Sequence, residues 1–378
     1  MISAFLSGFS GKKNFAQKLA RGFALVPTLF SIGKGIPPYS LPQNDIAKRL
    51  INLLMLDDEE AWMMERIYNN SHISRRYSVL PDLLFTAKSK TPMGMSHRNA
   101  IYKKEAPILA EKAARDALQQ WGGPLQDITH ILTVSCTGAI TPGLEFKLCQ
   151  ALGLDPFVHR LGINFMGCFG AFKGLSVAHK IACESPHNRV LMVCAELCTL
   201  HFRPGESVES TVIHSLFADG ASAAIVGTQP RSYETPRYEI LAERSFALKD
   251  SEQEMTWDAG DFGFDMTLSA RVPALIEQHI ERFVEVLAPK QDYHAVEWAI
   301  HPGGKAILEA VEKAFTLDKK RTLSSWKILS DFGNMSSATI LYVLEHLMHA
   351  KPEHAQTIAL GFGPGLSIEG LLLRNCAS

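Results

Sequence analysis

Leu161-Gly-Ile-Asn-Phe-Met-Gly-Cys-Phe-Gly-Ala-Phe-Lys-Gly-Leu-Ser-Val-Ala-His179 is the stretch on which the reading of this chain turns. A short apolar run ends in Met166-Gly167. Cys168 follows, and an amphipathic helix starts directly after it and runs to about Ser185. At a helix start, unpaired backbone N–H groups and the positive end of the macrodipole favour a thiolate. Gly167, Gly170 and Ala171 leave room for a reactant to approach the sulfur. The pattern predicts a nucleophile at Cys168. The rest of the chain then has to supply a partner for the thiol, an oxyanion site and a pocket.

At 378 residues the chain exceeds the usual single domain, so two domains or one duplicated one are expected. A hydrophobic fraction of 46% supports a large core, and a formal charge of −1 gives no field to recruit nucleic acid. No apolar run reaches the roughly 18 residues of an integral membrane segment. The seven cysteines are odd in number and lack metal-site spacing, which suits a reducing cytoplasm and no metal. Residues 1–24 mix Phe and Leu with Lys12, Lys13, Lys18 and Arg21; they read as an N-terminal extension rather than a targeting signal.

Working outward, His130–Cys136 and Arg189–Cys194 read as buried strands, and Asn99–Trp121 as a long Ala-rich helix. Gln43–Leu56, Ala61–Asn69 and Leu144–Leu152 read as helices. Ser215–Gly220 reads as a turn before a strand at Ala221–Val226. The polar run after Gly227 marks a boundary, giving halves at 25–230 and 231–378. In the second half, Tyr238–Ala242, Glu297–His301, Thr357–Gly361 and Leu366–Leu373 read as strands. Val272–Leu287, Ala306–Ala314 and Ser337–His349 read as helices.

The halves echo one another. A buried strand reaches a loop at Cys136 and at His301. A Gly-rich helix start follows 32 residues later at Cys168 and 33 residues later at Asn334. Sequence identity between the halves is negligible, so the repeat is one of elements. It predicts two βαβ-type halves, with Cys168, His301 and Asn334 at strand and helix ends where α/β folds build sites.

A Cys nucleophile is commonly ionised by a His. Among fourteen histidines, His301 stands out because it ends an apolar strand before Pro302-Gly303-Gly304. Taken singly, each position also has a structural reading: a buried cysteine, a loop histidine, and an Asn that caps a helix.

Four segments together resemble the signatures of the type III polyketide synthases, the chalcone synthase-like family of the thiolase superfamily. They are Asn164–Ala171, Trp298–Gly304, Phe332–Ser337 and Gly361–Gly365. Phe217–Ser222 and Gly263–Pro273 are similar to family segments too, and the resemblance runs from about Pro27 to Arg374. It implies a duplicated, thiolase-like αβαβα layered α/β fold in a homodimer. The implied chemistry is iterative decarboxylative condensation of an acyl-CoA starter with malonyl-CoA, then cyclisation to a pyrone, resorcinol or phloroglucinol. By the same resemblance Cys168 carries the acyl chain, and His301 and Asn334 hold the enolate. No cofactor is implied beyond the CoA thioesters themselves.

Carried over position by position, Phe217 and Met266 are gate residues, Met266 replacing an aromatic. Cys136, Thr137, Cys198, Leu200, His201, Trp257, Ser336, Gly363 and Pro364 match substrate-binding positions of the pocket. Arg66 and Ala306 match CoA-binding positions. Met63 and Asn70 are uncharged where plant members are basic, which leaves a carrier protein open as donor. A single-condensation ketoacyl synthase III, a hydroxymethylglutaryl-CoA synthase and an inactive acyl-binding scaffold are the competing expectations.

Overall fold

The computed structural model describes residues 25–82, 93–203, 207–350 and 352–376; the predicted N-terminal extension lies outside them. Among the described residues the strands are β1 (Thr28–Gly35), β2 (Tyr39–Pro42), β3 (Arg75–Ser78), β4 (His130–Ser135), β5 (His159–Asn164), β6 (Arg189–Leu197), β7 (Asp219–Gly227), β8 (Tyr238–Ala247), β9 (Met255–Gly260), β10 (Gly263–Leu268), β11 (Glu297–Ile300), β12 (Gln356–Gly363) and β13 (Ser367–Asn375). Nine of them form one sheet in the order β11-β12-β13-β8-β1-β7-β6-β4-β5.

β1 and β8 meet antiparallel inside this sheet, with Leu29 opposite Tyr238. Outward from that joint the two sides repeat. One reads β1-β7-β6-β4 and the other β8-β13-β12-β11. Each side reaches a parallel pair, β6 with β4 and β12 with β11. The echo in the sequence is thus a repeat of topology. Among the described residues β5 has no counterpart and forms an outer edge.

Both faces of the sheet are buried, which is why its inner strands read as continuous apolar runs. Along β6, Val190, Met192 and Cys194 face a core shared with Leu175, Ala178, Leu341 and Leu344. Leu191, Val193 and Ala195 face the other way, onto Ala110, Ala113 and Ala117 of the Met95–Trp121 helix. On the second side, Trp298, Ile300 and Leu360 pack on Ile276, Ile280 and Val284 of the Val272–Leu287 helix. The helices Gly170–Glu184 and Thr339–His349 lie in the shared middle, so the layers run helix, sheet, helix, sheet, helix.

Several elements differ from expectation. The predicted helix at Ala61 starts at Asp58, because Asp57 and Glu60 form a reciprocal capping box. The predicted turn at Ser215–Gly220 shrinks to Phe217-Ala218, since a helix runs over Val208–Leu216 and β7 starts at Asp219. A helix at Leu323–Phe332 and the β9–β10 hairpin were not anticipated. Both are short, and the hairpin alternates too weakly around Asp261-Phe262 to announce itself.

Candidate active site

Cys168 lies in a 3-10 turn, Gly167–Phe169, that leads into the Gly170–Glu184 helix. Two backbone features shape the approach. Phe165 and Gly167 both have positive φ, 59° and 74°. A Cβ at Gly167 would stand 2.4 Å from Cδ of Pro364, so the turn needs glycine twice over. Its N–H donates to Cys136 Sγ at 3.0 Å. Cys168 is buried, and burial pushes its thiol up to about 11; hydrogen bonds from Ser336 and Asn334 pull the other way and Glu196 adds to the rise. In the free site, burial thus outweighs the hydrogen bonds that favour the thiolate.

His301 is the first residue past β11, as Cys136 is the first past β4. Its backbone N–H donates to Leu360 O at 2.8 Å, which fixes the residue on β12. The ring is fully buried, and both nitrogens lack a hydrogen-bond partner. Burial alone lowers its pKa to about 3, so the free imidazole is neutral. Such an unpaired buried ring costs stability and points to a group that arrives with a ligand.

Asn334 is not a helix cap, since the next turn is entered from Met335 and the next helix from Ala338, neither with a side-chain cap hydrogen bond. Its Oδ1 accepts from Ser336 N–H at 2.8 Å, a local turn contact. That contact fixes the amide, so Nδ2 faces the site. Nδ2 donates to Gly303 O at 3.1 Å and lies 3.9 Å from Cys168 Sγ. Gly303 in turn sits against His301: a Cβ there would be 3.8 Å from the ring's Nε2. Asn334 lies two residues ahead of its own 3-10 turn, Ser336–Ala338, whereas Cys168 lies inside its turn; the repeat is offset here.

The cavity beside Cys168 is lined by Thr137, Gly167, Cys198, Phe217, Met255, Thr256, Trp257, Met266, Ser336 and Pro364, and its free space is about 20 Å³. The predicted positions thus divide. Thr137, Cys198, Phe217, Trp257, Met266, Ser336 and Pro364 line it, while Cys136 and Gly363 stand behind it. Gly363 backs Phe169 and the Cys168 N–H, where a Cβ would be 2.6 Å from the Phe169 ring. Leu200 and His201 do not line it. Leu200 is buried in the core on the Met95–Trp121 side. The His201 ring is pinned, with Nδ1 accepting from Phe264 N–H at 3.1 Å and Nε2 donating to Thr137 O at 2.8 Å. Arg66 and Ala306 are exposed and away from the cavity lining; Arg66 lies over the Trp62 ring at 5.1 Å.

Met255 and Thr256 were missed because the hairpin was missed. Glu196 was missed for another reason. It is a carboxylate inside the apolar run of β6, and that incongruity was the available signal. It is fully buried and accepts from Cys136 N–H at 3.0 Å, Thr137 Oγ1 at 2.9 Å and Ser337 Oγ at 2.5 Å. Burial raises its pKa to about 7, with these hydrogen bonds opposing the rise.

Comparisons with known proteins agree with this geometry. The family model for chalcone and stilbene synthases, N-terminal domain, matches residues 12–230, and the C-terminal domain model matches residues 240–377. A "Probable polyketide synthase 1" of Dictyostelium discoideum is 36% identical over 92% of this chain, which spans only 11% of that protein's length. A "Type III polyketide synthase A" of Arabidopsis thaliana is 33% identical over 98% of this chain and 99% of its own. The crystal structure of the C-terminal type III polyketide synthase domain of Steely1, a type I/III hybrid from Dictyostelium, superposes with a TM-score of 0.90 at 34% identity. It covers 93% of this chain and all of that one. The chain belongs to the chalcone and stilbene synthase family, the type III polyketide synthases.

Proposed function

We propose that this chain loads an acyl group onto Cys168 and extends it by repeated decarboxylative condensation with malonyl-CoA. The observation that carries the reading is the Asn334 amide, aimed 3.9 Å from Cys168 Sγ beside a His301 ring with no partner. Cys168 Sγ attacks the starter thioester carbonyl. His301 takes the thiol proton and returns it to the departing CoA sulfur. Malonyl-CoA then loses CO2, and the electron pair of the broken C–C bond moves onto the thioester oxygen as an enolate. Asn334 Nδ2–H and the His301 ring N–H donate to that oxygen in a site with little water, where such donors are strongest. The enolate carbon attacks the acyl carbonyl, and the Cys168 thiolate leaves. The lengthened chain returns to Cys168 for another round and finally cyclises to a pyrone, resorcinol or phloroglucinol-type product.

A neutral His301 suits both tasks, since it carries one N–H to donate and one lone pair to accept a proton. The reading calls for no bound cofactor or metal, because the pantetheine arm comes with the substrate. It includes a cytoplasmic homodimer as the working form, with a carrier protein as the alternative donor to CoA. None of the helices in the described residues is long and apolar enough to cross a membrane.

The test is purified protein with malonyl-CoA and a panel of starters on CoA and on carrier protein. CO2 release and polyketides by mass spectrometry are expected, and Cys168→Ala should abolish extension. Silence across the whole panel sinks the reading. Labelling of Cys168 by iodoacetamide, unprotected by any acyl-CoA, would favour an inactive scaffold.

A further inference from the structure

The helix Val208–Leu216 stops just before Phe217, and the last carbonyls of a helix need donors from elsewhere. The donors that serve them here decide where Phe217 and Asn334 sit. Four successive carbonyls, those of residues 214–217, go to groups outside the helix. His214 O and Phe217 O both accept from Arg76 Nη1, the second at 3.0 Å. Ser215 O accepts from Gln43 Nε2 at 2.7 Å. Leu216 O accepts from the Asn334 N–H at 2.9 Å.

Arg76 comes from β3, where the side chains alternate: Arg75 is exposed and Arg76 is buried. Its Nε donates to Gln43 Oε1 at 2.8 Å, and Gln43 Nε2 also reaches Ser71 Oγ at 3.1 Å. The guanidinium and the amide therefore hold one another under the helix end. A guanidinium suits the place, because its planar fork reaches two carbonyls and an amide at once. A cation there also meets the negative end of the helix macrodipole. Burial works against the charge, with Tyr68 and Asp219 opposing that effect. Packing alone would be served as well by an apolar side chain.

The same strand fastens the segment a second time. Val79, just past β3, donates its N–H to Asp219 Oδ2 at 2.9 Å. Phe217 and Asp219 are thus held from one side, and Ala218 between them donates its N–H to Asn334 O. Arg76 also packs against the residue that precedes Asn334. A Cβ at Gly333, which has φ 76°, would stand 3.2 Å from Arg76 Cγ and 3.0 Å from Leu216 O.

We propose that Arg76 is a positioning residue for the condensing reaction: by tying down the carbonyls of His214 and Phe217 it fixes the backbone link that aims Asn334 at the substrate. This rests on the reading of Asn334 as the enolate donor. The test is a double-variant cycle on CO2 release from malonyl-CoA, with Arg76→Met and Asn334→Ala singly and combined. Arg76→Met should lower the decarboxylation kcat about 10–100-fold, the scale of a reacting group displaced by about 1 Å. KM for malonyl-CoA should stay within about twofold, as for an interaction made in the transition state. Arg76→Lys keeps the charge and should recover part of the loss. In the Asn334→Ala background, Arg76→Met should cost less than about twofold more, because the amide it positions is gone. Gln43→Ala frees Ser215 O with the guanidinium in place, and covers the case in which Arg76→Met does not fold. Its smaller loss should likewise vanish in Asn334→Ala.

Losses that multiply in the double variants would overturn the proposal. So would activity that falls only in step with the folded fraction by circular dichroism. Wild-type CO2 release in Arg76→Met, with Asn334→Ala silent, would sink the role of Arg76 and leave the condensing reading standing. No CO2 release from the wild type would sink both.

Discussion

Phe217 and Asn334 are joined by a two-way backbone link: Asn334 N–H donates to Leu216 O and Ala218 N–H donates to Asn334 O, each at 2.9 Å, in an isolated parallel bridge. Phe217 lines the pocket from the half that carries Cys168, and Asn334 comes from the other half. The proposed enolate donor and the expected gate residue are therefore positioned by one piece of backbone. Asn334→Ala keeps that link and removes only the amide. Malonyl-CoA decarboxylation should fall by roughly 10²–10³-fold, the usual effect of losing one oxyanion donor. The unfolding midpoint should move only a few degrees. A collapse in thermal stability with proportionate loss of activity would make Asn334 a structural residue instead.

The proton balance between Cys168 and His301 gives the second prediction. Burial drives both groups toward their neutral forms, the thiol to about 11 and the imidazole to about 3. On the proposed mechanism, a proton passing from sulfur to ring creates two charges that stabilise each other and offset the burial. Without the ring nothing offsets it. In His301→Ala, iodoacetamide alkylation of Cys168 should keep accelerating with pH to about 11, whereas wild type should level off at lower pH. Superimposable profiles would remove His301 as the destination of the proton.

Much of the site was legible because its residues interrupt strong patterns. Cys168 breaks an apolar run before a helix, and His301 closes a buried strand before Pro-Gly-Gly. The central strands were legible because burial on both faces leaves no polar alternation. The hairpin that carries Trp257 and Met266 was not, since its partner strand lies across a two-residue turn and neither strand belongs to the main sheet. Glu196 was hidden among apolar neighbours. What identifies it is the convergence of three donors, Cys136, Thr137 and Ser337, all of them distant in sequence.

Glu196 makes a pH prediction with a definite sign. Its folded pKa, about 7, lies above the ordinary 4.5. The native state thus holds a proton that the unfolded chain has released between those values. The associated stability is fully present below about pH 4.5 and is lost as pH rises through about 7. At 1.36 kcal/mol per unit, the shift corresponds to roughly 3 kcal/mol. Asp219, raised to about 6, contributes with the same sign, so the variant flattens the profile only in part. Urea unfolding of wild type and Glu196→Gln at pH 5 and pH 8 is the measurement. The stability of the wild type minus that of the variant should fall by about 2.5 kcal/mol from pH 5 to pH 8; a difference independent of pH would contradict the raised carboxyl.

Gly167 tests the turn that presents Cys168. Gly167→Ala forces an L-residue to φ 74° and pushes a methyl into the Pro364 ring, 2.4 Å away. The φ penalty is about 1 kcal/mol and the overlap adds to it, so a loss of about 2–4 kcal/mol and slower acylation of Cys168 are expected. Adding Pro364→Ala removes the ring and leaves the φ penalty. The double variant should therefore recover more than half of the lost stability. If it recovers nothing, the contact with Pro364 is not what glycine avoids.

β5 carries the last prediction. It is the outermost strand on the Cys168 side of the sheet, and its residues are largely exposed. Leu161 on it is 44% exposed and Phe157 just before it 92%. An uncovered edge with apolar side chains is a template for pairing, and a second copy offers the same edge in antiparallel orientation. Leu161→Lys places a charge at that edge and should convert the proposed dimer to monomer in light scattering. β5 ends at Asn164, one residue before the Phe165–Gly167 backbone that holds Cys168 in place. Releasing the edge should therefore loosen that turn as well and lower kcat. A wild-type protein that is monomeric at micromolar concentration, or a monomeric variant with full kcat, would break this connection between the edge and the nucleophile.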